Sequence, residues 1–289
     1  MNNPCFQGCV HIIFAELKLT KMSSRKLIIL AMLLIRTPFI LPANPDSIKP
    51  PSPPEFSTSD FYSSTLLPDN GAVAPFLPNS VLNASFENRF LLKELMQARL
   101  NTVFRYKENA FLLSVSHFGY RLFGEMNLMA GYARRFGPHF STALRLHYLW
   151  THAADVPAIH SMTFDISFYG NIGRKFGLGF SCYNPARMKY GFTGSTCLPL
   201  RFHLELNYKI SGNLLIFTQI EKELKSRISI RVGAAYRVRC LYLLLAAGFP
   251  EPWFHCGVQI QQKRFLFGMD CQYRLSLGII PQATLTLLL

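Results

Sequence analysis

The chain has 289 residues, of which 49% are hydrophobic and 16% charged, and its formal net charge is +14. A mean hydropathy of +0.17 is low for a bundle of membrane helices and high for a soluble domain, whereas a barrel exposes only alternate residues to lipid and gives such a value. The basic residues are spread singly along the chain rather than gathered in one stripe, so the charge does not indicate a nucleic-acid partner.

The first recognisable element is an export signal. Ser23-Ser24-Arg25-Lys26 is followed by the apolar run Leu27 to Ile35 and then by Leu41-Pro42-Ala43, which together have the three parts of a secretory signal peptide. A membrane anchor is the alternative, but the run is much shorter than the roughly 20 residues that span a bilayer, and Arg36 interrupts it. We therefore predict a signal peptide over residues 22–43.

The residues on either side of this signal differ in character. Residues 1–21 show no targeting pattern, so we expect Met22 to be the true start. Residues 44–82 are rich in proline and serine, as in Lys49 to Pro54, and such a segment neither propagates a helix nor donates to a sheet. We predict a periplasmic tail, a linker or an irregular plug there, with partial docking through hydrophobic pieces such as Ala72 to Leu77.

From residue 83 to the end of the chain, apolar and polar residues alternate with a period of two. In 198–209, for example, every second residue is Leu, Phe or Tyr, and charged or polar residues stand between them. Two chemically different faces indicate strands rather than helices. The predicted strands are 83–92, 97–107, 109–120, 123–135, 139–150, 160–172, 175–184, 198–209, 213–221, 226–237, 240–249, 253–261, 264–274 and 281–289. That makes fourteen, and because 83–92 and 213–221 alternate least clearly, twelve stays open.

The connections between these strands decide between a barrel and a soluble sandwich. Tight connections are predicted around 108, 136–138, 173–174, 210–212, 238–239 and 262–263. Mostly longer ones are predicted at 151–159, 185–197, 222–225, 250–252 and 275–280. Outer-membrane barrels alternate short periplasmic turns with long outer loops, and an even strand count places both termini in the periplasm. We therefore predict an all-β transmembrane antiparallel barrel over 83–289, located in the outer membrane.

Aromatic residues near the strand ends agree with a barrel. They lie on the apolar face, where the interfacial girdles of a membrane barrel belong. A soluble β-sandwich, which is the alternative fold, would place such rings at the centre of its strands. The residues are Tyr148, Trp150, Tyr208, Phe254 and Tyr273.

The strand rhythm also resembles a known group of barrels. The run Gly170 to Gly191, with Leu178-Gly179-Phe180 and Asn184-Pro185, precedes strand pairs such as Leu204 to Tyr208 and Ile230 to Tyr236. This pattern resembles the Bacteroidetes outer-membrane barrels related to the fatty-acid transporter fold, including the type IX secretion-associated members. The resemblance implies a 14-strand barrel in the outer membrane.

Two features depart from that group. Its members usually begin with a Gly/Ala-rich segment that leads into an Asn-Pro-Ala motif, whereas this chain has the Pro/Ser-rich segment instead. Many outer-membrane barrels also end in an aromatic residue, whereas this chain ends in Leu287-Leu288-Leu289.

The search for chemistry favours a protein that is not an enzyme. His139-Phe140-Ser141 resembles the His-x-Ser spacing of outer-membrane lipid deacylases, but the alternation places His139 and Ser141 on the lumen face, away from a lipid substrate. Gly177 and Gly179 interrupt a strand pattern and predict close packing rather than a phosphate loop.

The cysteines do not indicate a binding site either. Their spacing fits neither a zinc site nor a disulfide framework, although it leaves room for one disulfide. Cys182, Cys256 and Cys271 fall on apolar faces, and we interpret them as small hydrophobic residues. We predict no cofactor and no metal.

The polar faces of the strands supply the candidate binding residues. They are predicted to point into the lumen, where basic residues outnumber acidic ones and would favour anions in a water-filled channel. An ion-pair network that fills the barrel without conducting is the alternative. The residues are Arg145, His147, Asp165, Arg201, His203, Glu205, Arg227, Arg231, Arg237 and Asp270.

Two functional hypotheses follow. The first is an accessory or docking barrel for protein export or surface assembly, with exported proteins or secretion components as partners besides outer-membrane lipid. The second is a transport barrel for a small anionic or amphipathic solute. Neither hypothesis includes a nucleic acid.

Overall fold

The computed structural model describes residues 70–154, 156–173, 175–191, 197–224, 226–275 and 277–289. The predicted leader (1–21) and signal peptide (22–43) lie outside the described residues, as does the Pro/Ser-rich segment up to residue 69. These parts of the sequence analysis stay predictions.

The described residues form a closed antiparallel barrel of fourteen strands. The strands are β1 (Val81–Asn88), β2 (Met96–Tyr106), β3 (Asn109–Gly119), β4 (Phe123–Phe136), β5 (Phe140–Ala153), β6 (Val156–Ile172), β7 (Phe176–Tyr183), β8 (Arg201–Lys209), β9 (Leu214–Glu223), β10 (Ile228–Val238), β11 (Leu241–Phe249), β12 (Trp253–Gln262), β13 (Phe265–Arg274) and β14 (Gly278–Leu288). Each strand pairs with its sequence neighbours, and β1 pairs with β14 to close the sheet. The predicted fold is confirmed, with fourteen strands rather than twelve.

The alternation in the sequence corresponds to the two faces of the barrel wall. In β5, Arg145 and His147 point inward and are buried, whereas Leu144 and Leu146 point outward and are 47% and 54% exposed. The same pattern leaves large apolar side chains exposed around the outside of the barrel. Examples are Phe104, Phe111, Leu113, Tyr132, Phe168, Phe180, Ile216, Tyr236, Leu245, Phe254, Phe267, Met269 and Leu285. A closed sheet has no unpaired edge, so every strand has a partner on both sides.

The two ends of the barrel differ. Six connections of at most four residues lie at one end, which we call the tight-turn end: 107–108, 137–139, 173–175, 210–213, 239–240 and 263–264. The opposite end, called the loop end here, holds the two long connections, 89–95 and 184–200, while its other five connections have at most four residues. The backbone N–H of Leu289 donates to the carbonyl oxygen of Ser80 over 2.8 Å, so β1 starts and β14 ends at the tight-turn end.

The first strand differs from its predicted bounds of 83–92, since β1 spans Val81–Asn88. The backbone leaves the sheet after Asn88, because Phe90 and Leu91 adopt left-handed φ angles of 58° and 59° that a strand does not accommodate. Residues 89–91 and 93–95 form two short 3₁₀ turns instead.

The predicted long connection at 151–159 is wrong. β5 and β6 continue as a hairpin through this region, with Thr151 opposite Ile159 and Ala153 opposite Val156 across a register shift. Only residues 154–155 connect the two strands. The predicted longer connections at 222–225 and 275–280 are also short, with four and three residues, and the longest connection at the loop end is 184–200.

No helix of the described residues is long and apolar enough to cross a membrane.

The pairing of β12 with β13 predicts a specific cross-link. Cys256 and Cys271 face each other directly, are both free, and lie on the outer wall. Opposed residues of adjacent antiparallel strands have Cβ atoms about 4.5–5.5 Å apart, close enough for a disulfide after small adjustments. We expect oxidation of the folded protein with copper phenanthroline to join these two residues, which peptide mass spectrometry detects.

Cys182 supplies the internal control for this oxidation. It stands opposite Ile166 and Phe202, so it has no thiol partner across either neighbouring strand and stays reduced. A register shifted by one residue would place Cys256 and Cys271 on opposite faces. Failure of the cross-link would therefore contradict the described register.

Candidate functional site in the barrel lumen

A short segment at the start of the described chain lies inside the barrel. Residues 70–77, which we call the plug, contain a 3₁₀ helix at Gly71–Phe76. The side chain of Asn70 caps this helix by accepting from the backbone N–H of Ala72 over 3.0 Å. Ala72, Val73, Ala74 and Leu77 are at most 1% exposed. The sequence analysis left a tail, a linker or a plug open for 44–82, and the described end of that segment lies in the lumen.

Hydrogen bonds hold the plug against the wall. The hydroxyl of Ser141 on β5 donates to the carbonyl oxygen of Ala72. The amide of Asn70 donates to the carbonyl oxygen of Phe168 on β6 over 3.2 Å. The guanidinium of Arg105 on β2 donates to the carbonyl oxygen of Leu77. The plug is thus bound on three sides, by β2, β5 and β6.

Aromatic contacts fix the last residue of the plug helix. The ring of Phe76 packs edge-on against Tyr169, with 5.5 Å between ring centroids. The guanidinium of Arg135 lies 5.8 Å from the centre of the same ring. Tyr169 is the largest fully buried side chain of the described residues, so this contact belongs to the packed part of the lumen near the tight-turn end.

Two glycines of β7 allow this packing. A Cβ atom on Gly177 would lie 2.4 Å from the hydroxyl oxygen of Tyr169, and one on Gly179 would lie 2.6 Å from the amide nitrogen of Asn70. Any larger residue would displace the plug or the wall. The sequence prediction that these glycines serve close packing agrees with their position.

A buried ionic network lies beside the plug. The Nε atom of Arg145 is 2.9 Å from each carboxylate oxygen of Asp165, which stands directly opposite on β6. The Nε2 atom of His147 is 2.6 Å from Oδ2 of Asp165. The three side chains are 6%, 2% and 10% exposed. A Cβ atom on Gly71 would lie 2.9 Å from Cδ of Arg145, so the network touches the plug.

A cavity of about 760 Å³ lies between this network and the loop end. Its wall mixes apolar and charged side chains. The apolar ones include Val103, Leu112, Phe118, Met129, Leu149 and Leu198. The charged ones are Arg89, Arg99, Glu125, Arg145, Asp165, Arg201 and Glu221, with His147 and His203 beside them. The lumen is therefore hollow towards the loop end and filled towards the tight-turn end.

Described residues of the connection between β7 and β8 line the loop end of this cavity. Asn184 is fully buried, accepts from the backbone N–H of Met188 over 2.7 Å and donates to the carbonyl oxygen of Leu198 over 2.8 Å. The hydroxyl of Tyr190 donates to that of Thr151 over 2.8 Å. Tyr190 and Leu198 consequently line the cavity.

The predicted lumen residues occupy different places. Arg145, His147, Asp165, Arg201 and His203 line the cavity. Glu205 is fully buried beside the plug, where Asn207 donates to it over 2.7 Å.

The remaining predicted residues lie away from the cavity. Arg231 and Arg237 are half-buried over the rings of Trp253 and Tyr242. Asp270 is buried, with His255 Nε2 at 3.5 Å.

Arg227 requires a correction. It was placed on the inward face of a strand, but β10 begins only at Ile228, and Arg227 is exposed in the connection that precedes it. The alternation of charged and apolar residues continues past the point where pairing with β9 stops, since the first paired residue is Ile228.

The sequence analysis also missed several residues of this site. Arg99 and Asn101 on β2 and Ser114 and Ser116 on β3 line the cavity. The alternation of polar and apolar residues in these two strands could have identified them as inward-facing. The sequence analysis proposed partial docking through Ala72 to Leu77, but did not identify Asn70 as its cap.

Ser141 and His139, the residues with His-x-Ser spacing, have different surroundings in the structure. Ser141 is engaged with the plug, while His139 is exposed in a tight turn. Within the described residues, no group of three or more His, Cys, Asp or Glu side chains is placed to hold a metal ion.

The fold is shared with solved channel structures. A Pseudomonas aeruginosa FadL homologue matches with a TM-score of 0.55 and 9% identity, over 76% of this chain and 92% of that chain. The Pseudomonas putida toluene transporter TodX matches with a TM-score of 0.53 and 10% identity, over 76% and 91%. The CymD monoaromatic hydrocarbon channel gives a TM-score of 0.53 and 10% identity, over 76% and 93%. This chain has a FadL-like barrel fold. The sequence matches no family model and no curated protein.

Proposed function

We propose that this protein is a transport barrel of the outer membrane and carries a small amphipathic solute. The observation that carries the proposal is the lumen cavity of about 760 Å³, which ends at the plug. Small-molecule sites commonly have volumes of about 300–1,000 Å³. The exposed apolar outer wall supports the membrane placement, because such a surface is stable only against lipid.

The cavity wall favours an amphipathic solute over a strongly anionic one. Four arginines of the wall are offset by three carboxylates, and Asp165 already neutralises Arg145. Apolar residues such as Val103, Leu112 and Met129 lie beside these charges. A solute with a ring and polar ends fits this mixture, and the ring is the part that it shares with the aromatic hydrocarbons named for CymD and TodX.

We also propose that both chain termini are in the periplasm. β1 starts and β14 ends at the tight-turn end, and outer-membrane barrels keep their short turns on the periplasmic side. The sequence analysis also proposed an accessory role in export and a relation to the Bacteroidetes secretion-associated barrels. No contact within the described residues favours either.

A flux assay tests the transport function. Phenylalanine combines an apolar ring with one charge of each sign and crosses lipid slowly. We expect vesicles that contain the protein to take it up faster than protein-free vesicles and faster than they take up glucose. The Ser116→Trp variant places an indole ring in the cavity, narrows it, and is expected to lower the uptake about tenfold, whereas His117→Trp places the same ring on the outer wall of β3.

The matched pair makes the result specific. His117 is the outward neighbour of Ser116, so both variants carry the same new side chain on the same strand. Equal uptake by the two variants would contradict passage through the cavity. No uptake above protein-free vesicles would reject the transport function.

A further inference from the structure

The tight-turn end carries a ring of basic residues. Each of its six connections has a Lys or Arg in it or within three residues of it. We call the following residues the basic rim: Lys107, Arg134, Lys175, Lys209, Arg239, Lys263 and Arg264. All are exposed except Lys209, which is half-buried. Arg105, Arg135 and Arg237 also lie at this end but contact the plug or the lumen wall.

Acidic residues are almost absent from the same positions. Glu108 is the one acidic residue in or within three residues of these six connections, counted over the described part of the chain. At the loop end, by contrast, acidic and basic residues are mixed. The acidic ones there include Glu87, Glu94, Glu125, Glu221, Glu223 and Glu251. The excess of basic over acidic residues in the described part of the chain is thus concentrated at the tight-turn end.

The basic rim borders the apolar outer wall. Tyr106, Phe136, Tyr208 and Phe265 lie at the tight-turn end of their strands and are 45% to 58% exposed. The Nζ atom of Lys107 is 5.4 Å from the ring centre of Tyr106, and Arg134 is 5.5 Å from that of Phe136. Aromatic residues of membrane barrels mark the boundary between hydrocarbon and headgroups. Long basic side chains at this boundary rest on apolar surface and extend their charges into the headgroup layer.

The distribution of the rim indicates its partner. The basic residues occur at all six connections and so surround the whole circumference. A soluble acidic protein would contact one sector of the circumference, and the basic residues of the barrel would then be concentrated in that sector. A lipid leaflet contacts every sector equally.

We propose that the basic rim binds the anionic headgroups of the phospholipid leaflet at the tight-turn end. A Lys or Arg side chain near an anionic membrane surface is attracted to the lipid headgroups, and the attraction falls off within a Debye length. The inference rests on the membrane placement in the proposed function. Beyond that placement, the proposal states that the barrel prefers anionic lipids and that the basic rim causes this preference.

Boundary-lipid selectivity tests this proposal. The protein is reconstituted in phosphatidylcholine, and electron spin resonance measures the association of spin-labelled phosphatidylglycerol relative to spin-labelled phosphatidylcholine. We expect the unmodified protein to prefer phosphatidylglycerol, on the order of fivefold, and salt to weaken the preference. A variant with Lys107, Lys175, Arg239, Lys263 and Arg264 changed to Gln is expected to lose it.

A loop-end variant is the matched control. It changes Lys93, Arg121, Arg187, Lys189 and Arg227 to Gln, which removes the same charge from exposed positions that do not line the cavity. This control is expected to keep the preference. Equal loss in both variants would mean that total charge is responsible and would overturn the proposal.

Two further outcomes separate this proposal from the proposed function. If the unmodified protein inserts but shows no lipid preference, the lipid proposal fails while the membrane placement stands. Rim-dependent binding of polyglutamate without lipid preference would assign the rim to an acidic soluble partner and would also overturn it. Failure to insert into the phosphatidylcholine vesicles would reject the membrane placement itself.

Discussion

Replacing Gly71–Phe76 by a glycine–serine linker of equal length is expected to raise solute flux through the barrel on the order of a hundredfold. The plug residues are buried between the cavity and the tight-turn end, and Phe76 packs against the buried ring of Tyr169. A minor open state is commonly populated at about 1%, so a variant that is open in nearly all molecules gains about that factor. Phenylalanine uptake by vesicles measures the change. A shift in gel mobility on heating serves as the control that the variant still folds into a closed barrel.

A single substitution that weakens one contact of the plug is expected to raise the flux by a smaller factor. Ser141→Ala removes the hydroxyl that donates to Ala72, and a hydrogen bond contributes about 0.5–1.5 kcal/mol, so flux is expected to rise about two- to tenfold. Thr142→Ala changes the outward neighbour on β5 and leaves the plug contact intact. Unchanged flux in the linker variant would mean that another element closes the lumen.

The strand pattern was predictable because each side chain of a barrel has only two environments. In β8, inward Glu205 and Asn207 are fully buried, whereas outward Tyr208 is 47% exposed. The polar and apolar sets of the sequence therefore correspond to lumen and outer wall, and one extra residue would exchange them. This constraint also identified the inward position of Arg145 and of Asp165.

Strand ends were less predictable because alternation does not report pairing. β14 was predicted to begin at Pro281, but it begins at Gly278. Pro281 lies just before Gln282, the first residue of β14 that pairs with β1, so its missing N–H is tolerated on that side. Which residues pair depends on the neighbouring strand, and a single alternating pattern does not contain that information.

The plug was the least predictable part of the site. Its residues show no periodicity, and their position depends on contacts with strands far away in sequence, such as Arg105 and Phe168. Asn70 followed by an apolar stretch in a Pro/Ser-rich segment was the available signal. The lumen partners of such a segment become visible only when the barrel is closed.

Removal of the carboxylate at Asp165 is expected to be the most destabilising single change in the cavity wall. Asp165 is 1% exposed and accepts from Arg145 while His147 Nε2 lies 2.6 Å away. Breaking a buried ion pair leaves a desolvated charge without its counter-charge, and this costs about 3–5 kcal/mol. Asp165→Ala should lower the free energy of unfolding by that amount, measured by urea titration of vesicle-embedded protein.

Two variants test whether the stranded charge is the cause. Ser167→Ala changes the next inward residue of β6, whose buried hydroxyl has no hydrogen-bond partner in the described residues, and is expected to alter stability by less than about 0.5 kcal/mol. Adding Arg145→Met to Asp165→Ala removes the guanidinium and should recover about 2 kcal/mol. If Asp165→Ala is as stable as Ser167→Ala, the network contributes little to folding. If the double variant recovers nothing, the loss at Asp165 comes from the cavity that it leaves and not from the unpaired arginine.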